Sequence, residues 1–157
     1  MIIWIVIVVI ALIFLWYLAS PLFVNKEVNE GFPIENQNNN QANQETNNEH
    51  DTVSPSYQGD FMGANAAHQV SGQALVLEDS GERYLRFENF EATNGPDLKV
   101  YLSTDTSADD YVSLGDLKGN IGNQNYVVPE DVDLQKYDNV LIWCEAFSVL
   151  FGHAELG

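Results

Sequence analysis

The chain has 157 residues, 45% of them hydrophobic, and a formal net charge of −17. Residues 57–157 alone carry 17 acidic against 5 basic side chains, a net of −12. That balance argues against nucleic acid, whose phosphates are bound by Lys and Arg, and against direct docking on an anionic bilayer; it suits solubility, a cationic ligand or a metal.

Ile2 to Leu18 is an unbroken apolar run, and residues 2–24 contain no charge. Twenty-three residues at ~1.5 Å each reach roughly 34 Å, enough to cross a ~30 Å hydrocarbon core, so residues 1–24 read as one transmembrane anchor. Trp4, Trp16 and Tyr17 stand near its two ends, where amphipathic rings favour the interface. A cleaved signal peptide is the rival, with Ser20 as a cleavage position, but no basic n-region precedes the run. The nearest basic residue, Lys26, is flanked by Glu27 and Glu30, so charge alone does not orient the anchor.

Residues 25–56 follow as a linker. Their core, from Glu35 to Ser56, is rich in Asn and Gln, has almost no apolar residues and no period. Such a stretch cannot offset its ordering entropy and is expected to be disordered. A flexible chain of that length reaches about 25 Å, which suits clearance from a membrane.

From Tyr57 to Gly157 short apolar runs and period-2 alternation dominate. Strands are expected at Gln73–Leu77, Tyr84–Phe90, Leu98–Ser103, Tyr111–Leu114, Gln124–Val128, Val140–Cys144 and Phe147–Leu150. Turn formers separate them, including Asn94-Gly95-Pro96 and the glycines Gly115, Gly119 and Gly122. Strands this short and regular predict an all-β fold, an antiparallel β-sandwich or small barrel. Alternation along Tyr84–Asn89 points Arg86 towards water. Val140–Cys144 is apolar throughout and reads as a central strand covered on both sides, with Cys144 largely buried. The one helical candidate is Glu130–Tyr137, after Pro129.

Chemistry-bearing motifs are sparse. No G-x-S-x-G turn, Gly-rich phosphate loop, C-x-x-C or H-E-x-x-H occurs. Cys144 is the single cysteine, so no disulfide forms within the chain. His68 and His153 are the two histidines after the linker, and Met62 reads as a core filler. Thiolate and imidazole together suit copper, iron or haem, which makes Cys144, His68 and His153 the candidate ligands. Outside the cytoplasm an unpaired thiol oxidises unless it is shielded or used.

Three blocks bear on identity: Asn94–Ser103, Leu114–Tyr126 and Val140–Gly152, with His68–Gly72 and Leu85–Phe90 upstream. Together they resemble the DM-13 domain family, the modules described as electron-transfer domains in Skeletor-like proteins. The similarity covers about residues 58–156. The resemblance implies a β-rich, mostly extracytoplasmic module, often found beside haem-binding DOMON modules. It implies a redox role through a cysteine or a bound prosthetic group, haem or a transition metal. Cys144 matches the family's cysteine and His68 a position often occupied by His, whereas His153 reads as local variation. The expectation is a single-pass protein of the cell membrane with an extracytoplasmic redox domain, a redox or binding module rather than a turnover enzyme. Its partners would be the membrane and a redox protein or cationic ligand. The competing expectation is a β-sandwich that binds a ligand or protein at the cell surface, with Cys144 purely structural.

Overall fold

The computed structural model describes residues 2–19, 24–33, 54–79 and 81–157. Helix α1, Ile2–Ala19, is apolar throughout and its described side chains are exposed. Among the described residues no helix is long and apolar enough to cross a membrane. Helix α1 covers 18 residues of the segment expected to span over 1–24, and residues 1 and 20–23 lie outside the described residues.

Nine strands follow: β1 Tyr57–Asp60, β2 Met62–Gly63, β3 Val70–Asp79, β4 Glu82–Ala92, β5 Leu98–Ser103, β6 Tyr111–Asp116, β7 Gln124–Val128, β8 Asn139–Cys144 and β9 Val149–Glu155. They form two sheets, β1-β3-β4-β7 and β2-β9-β8-β5-β6. Every strand pair is antiparallel. The expected sandwich is what forms. Its core lies between the sheets, where Val76, Leu85 and Phe87 meet Val100, Leu102, Val140, Ile142 and Cys144. Phe61, Phe87 and Phe90 pack edge-on and stacked, with centroids 4.9–5.2 Å apart, a geometry that adds to the gain from burial.

All seven expected strands have counterparts, with changes at their ends. In the expected strand Phe147–Leu150, Phe147 and Ser148 belong to a tight turn over 145–148, closed by Ser148 N–H donating to the Glu145 carbonyl at 3.3 Å, and the strand starts only at Val149. Met62, expected in the core, is 57% exposed on the short edge strand β2. Glu130–Tyr137 forms turns instead of a helix. Val132 and Leu134 are both buried, a spacing of two that suits irregular chain better than a helical face. The Asp133 carboxylate accepts the Gln135 amide at 2.9 Å, offering the backbone an alternative to helix.

The largest departure is Arg86. Alternation correctly puts it on the outer face of β4, yet it is 3% exposed. Residues 24–33, at the head of the expected linker, cross that face as a strap. Arg86 Nη1 donates to the carbonyls of Glu30 at 3.2 Å and Gly31 at 3.1 Å and to Asn125 Oδ1 at 2.9 Å. Its Nε pairs with Glu88 at 2.9 Å, and Phe32 lies 4.3 Å from the guanidinium. The expectation that Arg86 faces water is thus corrected, because its cover comes from a segment more than fifty residues upstream.

The strap is bound along its length. Glu27 bridges Ile121 in parallel, and the Val28 and Glu30 amides donate to the Ile121 and Asn123 carbonyls, each at 2.9 Å. Lys118 Nζ reaches both Glu30 carboxylate oxygens at 2.9 Å. Burial alone would raise the Glu30 carboxyl. Lys118, the Asn125 amide and the Arg86 charge outweigh that and hold it below its ordinary value. Gly122 has φ +101°, and a Cβ there would stand 2.0 Å from the Val28 carbonyl oxygen. The remainder of the expected linker, 34–53, lies outside the described residues.

Candidate functional site

The chain reversals at 64–69, 93–97, 117–123 and 145–148 gather at one end of the sandwich, the loop end. The buried Gln124 fixes the third of these. Its Nε2 donates to the Gly119 carbonyl at 2.7 Å, and its Oε1 accepts the Gly119 amide at 3.1 Å and the Tyr126 hydroxyl at 2.8 Å. Burial pushes the Tyr126 phenol up, so it stays a neutral donor. At the second reversal the chain lies directly on the core. A Cβ on Gly95 would meet Phe151 Cζ at 2.8 Å and Leu98 Cδ2 at 2.9 Å, so a larger residue here would have to push these two side chains aside.

A groove of about 320 Å³ opens at this end, lined by Ala67, His68, Thr93, Asn94, Gly95, Pro96, Phe147, Val149 and Phe151. Phe147 stands at the tip of its turn, 70% exposed. The His68 ring stacks on Phe151 with centroids 4.2 Å apart and planes 29° from parallel. Asn65 holds this imidazole. Its Oδ1 accepts the amides of Ala67 at 2.9 Å and His68 at 3.1 Å, which turns its amide nitrogen towards His68 Nδ1 at 3.2 Å. Nδ1 is therefore an acceptor, and the neutral ring carries its proton on Nε2.

Cys144 closes β8 as a core residue, fully buried at 0% exposure. Its register partners are Leu98 and Val149. Val149 is itself a groove wall, whereas Cys144 is not. His153 pairs with Leu141 and Met62. Leu141 and Cys144 are three residues apart on β8, so their side chains, and with them His153 and Cys144, lie on opposite faces of the sheet. His153 Nδ1 is buried without a partner.

The outer face of the five-stranded sheet is rich in aromatic and charged groups. Lys99 pairs with Asp97 at 2.7 Å, Asp116 at 2.5 Å and Glu145 at 3.5 Å. The hydrogen bonds it donates to Asp116 and Asp97 hold its ammonium above the ordinary value. Tyr101 stacks on Tyr111 at 4.1 Å. Burial, with the neighbouring Tyr111, pushes the Tyr101 hydroxyl up to about 12.

The structure thus buries Cys144 in the core, lines the groove with His68, and places His153 on the face of the sheet opposite Cys144. The sequence reading missed Phe147 and Phe151 as groove residues; the polar break at Glu145 and Ser148, flanking Phe147, was the available signal for a turn there. Among the described residues no three of His, Cys, Asp and Glu converge as a metal site. A metal or haem iron shared by Cys144 and His68 does not fit this donor set. The sulfur faces hydrocarbon, and the imidazole lone pair at Nδ1 is already engaged by an amide.

Compared with known proteins, residues 61–156 match the model of a family described as electron transfer DM13. No curated protein and no solved structure matches the chain.

Proposed function

The chain belongs to the DM13 electron-transfer family, and on that premise we propose that its domain is an electron-transfer module working through the loop-end groove. One observation carries the reading: Val149, strand partner of the family-matched Cys144, is a wall of the same groove in which His68 stacks on Phe151. Stacked rings and apolar walls suit a flat, conjugated redox group. The His68 Nε2–H supplies one donor to orient it, and Phe147, Val149 and Phe151 exclude water. Cys144 contributes a polarisable sulfur beneath the wall, shielded from oxidants and from other thiols. The chain's role is to seat and orient its redox partner rather than to turn over a substrate.

The test uses the full chain in detergent. It is examined for visible absorption and metal content, then titrated with flavin, haem and a soluble quinone as probes. Binding of one probe that Gly95→Val weakens at least tenfold, with electron-exchange rates altered by Cys144→Ala, supports the reading. A protein without chromophore or metal that binds no probe ends it.

The second reading is a binding module without redox chemistry, and the complete burial of Cys144 in the core cluster favours it. Normal ligand capture by a folded Cys144→Ala variant, with no electron exchange in either protein, selects it.

We further propose that α1 is a single-pass membrane anchor and that the domain is extracytoplasmic. Trp4, Phe14 and Trp16 are more than 60% exposed in a helix that makes no use of them in the core. Burying such side chains in lipid is favourable, and a bilayer can thin locally to meet a short helix. A lone cysteine sealed from solvent suits an oxidising compartment.

A further inference from the structure

We infer that the loop end of the sandwich, carrying Phe147 and the His68 groove, is a membrane-facing surface whose partner is the lipid headgroup layer. The inference rests on the reading of α1 as an anchor and follows from where the strap takes hold. Asn25 Oδ1 accepts amide hydrogens from Asn94 at 2.8 Å and Asn120 at 3.1 Å. The Lys26 amide donates to Asn120 Oδ1 at 2.7 Å. From Asn25 onward the chain is therefore part of the domain, and it joins the domain at the reversals 93–97 and 117–123.

Helix α1 ends at Ala19 and the strap begins at Val24. A fully extended chain covers at most ~3.3–3.6 Å per residue, so these five steps span no more than about 18 Å. The opposite end of the sandwich lies farther off, since β4 with its 11 residues is ~36 Å long. Only the loop end stays within reach of a bilayer that holds α1. With the anchor and strap placed this way, the clearance of about 25 Å expected from a flexible Glu35–Ser56 does not arise between the membrane and the domain. Residues 34–53 instead join two points that both sit on the domain.

The chemistry of this end suits an interface. Val24 is 64% and Phe147 70% exposed, with Pro96 in the groove wall between the reversals. A ring at an exposed turn tip gains apolar contact on entering the headgroup region. Asp97, Asp116 and Glu145 surround Lys99 at the same end. Their net negative charge opposes anionic lipid, so the surface fits a zwitterionic layer.

The full chain is reconstituted into phosphatidylcholine vesicles with one fluorophore at Phe147→Cys or at Asp131→Cys, on the opposite end. The buried Cys144 does not label in the folded protein. Lipids bearing a nitroxide on the headgroup should quench the first label at least threefold more than the second. Asn25→Ala combined with Glu30→Ala, which loosens the strap, should bring the ratio towards one. Adding anionic lipid should lower quenching of the first label, and salt should restore it. Vesicle flotation separates the failures. A chain that does not float overturns both the anchor and this surface. A chain that floats with equal quenching of the two labels overturns the surface alone.

Discussion

Replacing Gly122 with alanine tests the strap without touching the core. The new Cβ would stand 2.0 Å from the Val28 carbonyl oxygen, which is backbone and cannot rotate away. The residue also sits at φ +101°, where an L side chain costs roughly 1–3 kcal/mol. Moving the strap aside breaks the bonds from Val28 to Ile121 and from Glu30 to Asn123. Those bonds, at roughly 0.5–1.5 kcal/mol net each, are given up on opening in either protein, so the change in the opening equilibrium is the strain relieved, about 1–3 kcal/mol. Every 1.4 kcal/mol is a factor of ten in an equilibrium, so strap opening should rise by at least about fivefold. Amide hydrogen exchange reads this residue by residue. Val28 and Glu30 should lose protection by that factor, while Ile142 in β8 keeps most of its own, because local opening and global unfolding are separate events. Unchanged protection at Val28, or equal losses at Val28 and Ile142, would refute the picture of a strap clamped by close backbone approach.

Three further outcomes follow from the same contacts. Arg86→Ala removes a buried guanidinium with four partners, and should lower stability by about 2–4 kcal/mol in urea unfolding; Arg86→Lys should recover only part of it, since an ammonium lacks the planar fork. Cys144 should be inert to a thiol reagent in the native protein and react only as the protein unfolds. Cys144→Ser, which buries a hydroxyl in hydrocarbon, should cost about 1–3 kcal/mol in the same assay. The Glu30 carboxyl is held below its ordinary value of 4.5, so its contribution to strap binding is fully present above that pH and is lost as the pH falls through the lower folded value. Amide NMR shifts of Val28 and Glu30 should report strap release below about pH 4.5, and Glu30→Gln should flatten that pH response.

How much of this the sequence disclosed depends on how local each signal is. β5 and β7 were readable to the residue, because alternation and flanking turn formers act within a few positions. The burial of Cys144 was readable for the same reason, from Val140–Cys144. Strands β1 and β2 were not, because they are short, polar edge pieces held by β3 and β9. The strap was invisible for a different reason. Asn25, Glu27 and Glu30 look like tether residues, and only Lys118, Arg86 and Gly122, far along the chain, make them structural. The site was half legible. Cys144 and His68 stood out by residue type. That Cys144 pairs with the groove residue Val149 without entering the groove itself, and that Asn65 occupies the His68 imidazole, depends on long-range register and on a loop, which no local pattern carries.

The strap turns the stretch 34–53 into a closed connection, with Phe32 seated on Arg86 at one side and Tyr57 paired with Val76 at the other. Doubling the length of such a connection costs only ~0.6 kcal/mol in closure entropy, so insertions there should leave the domain intact. A protease nick anywhere within it would not shed the domain. The severed N-terminal piece would stay docked through its amide bonds, its Glu30–Lys118 pair and Phe32, as a two-fragment complex still attached to its helix.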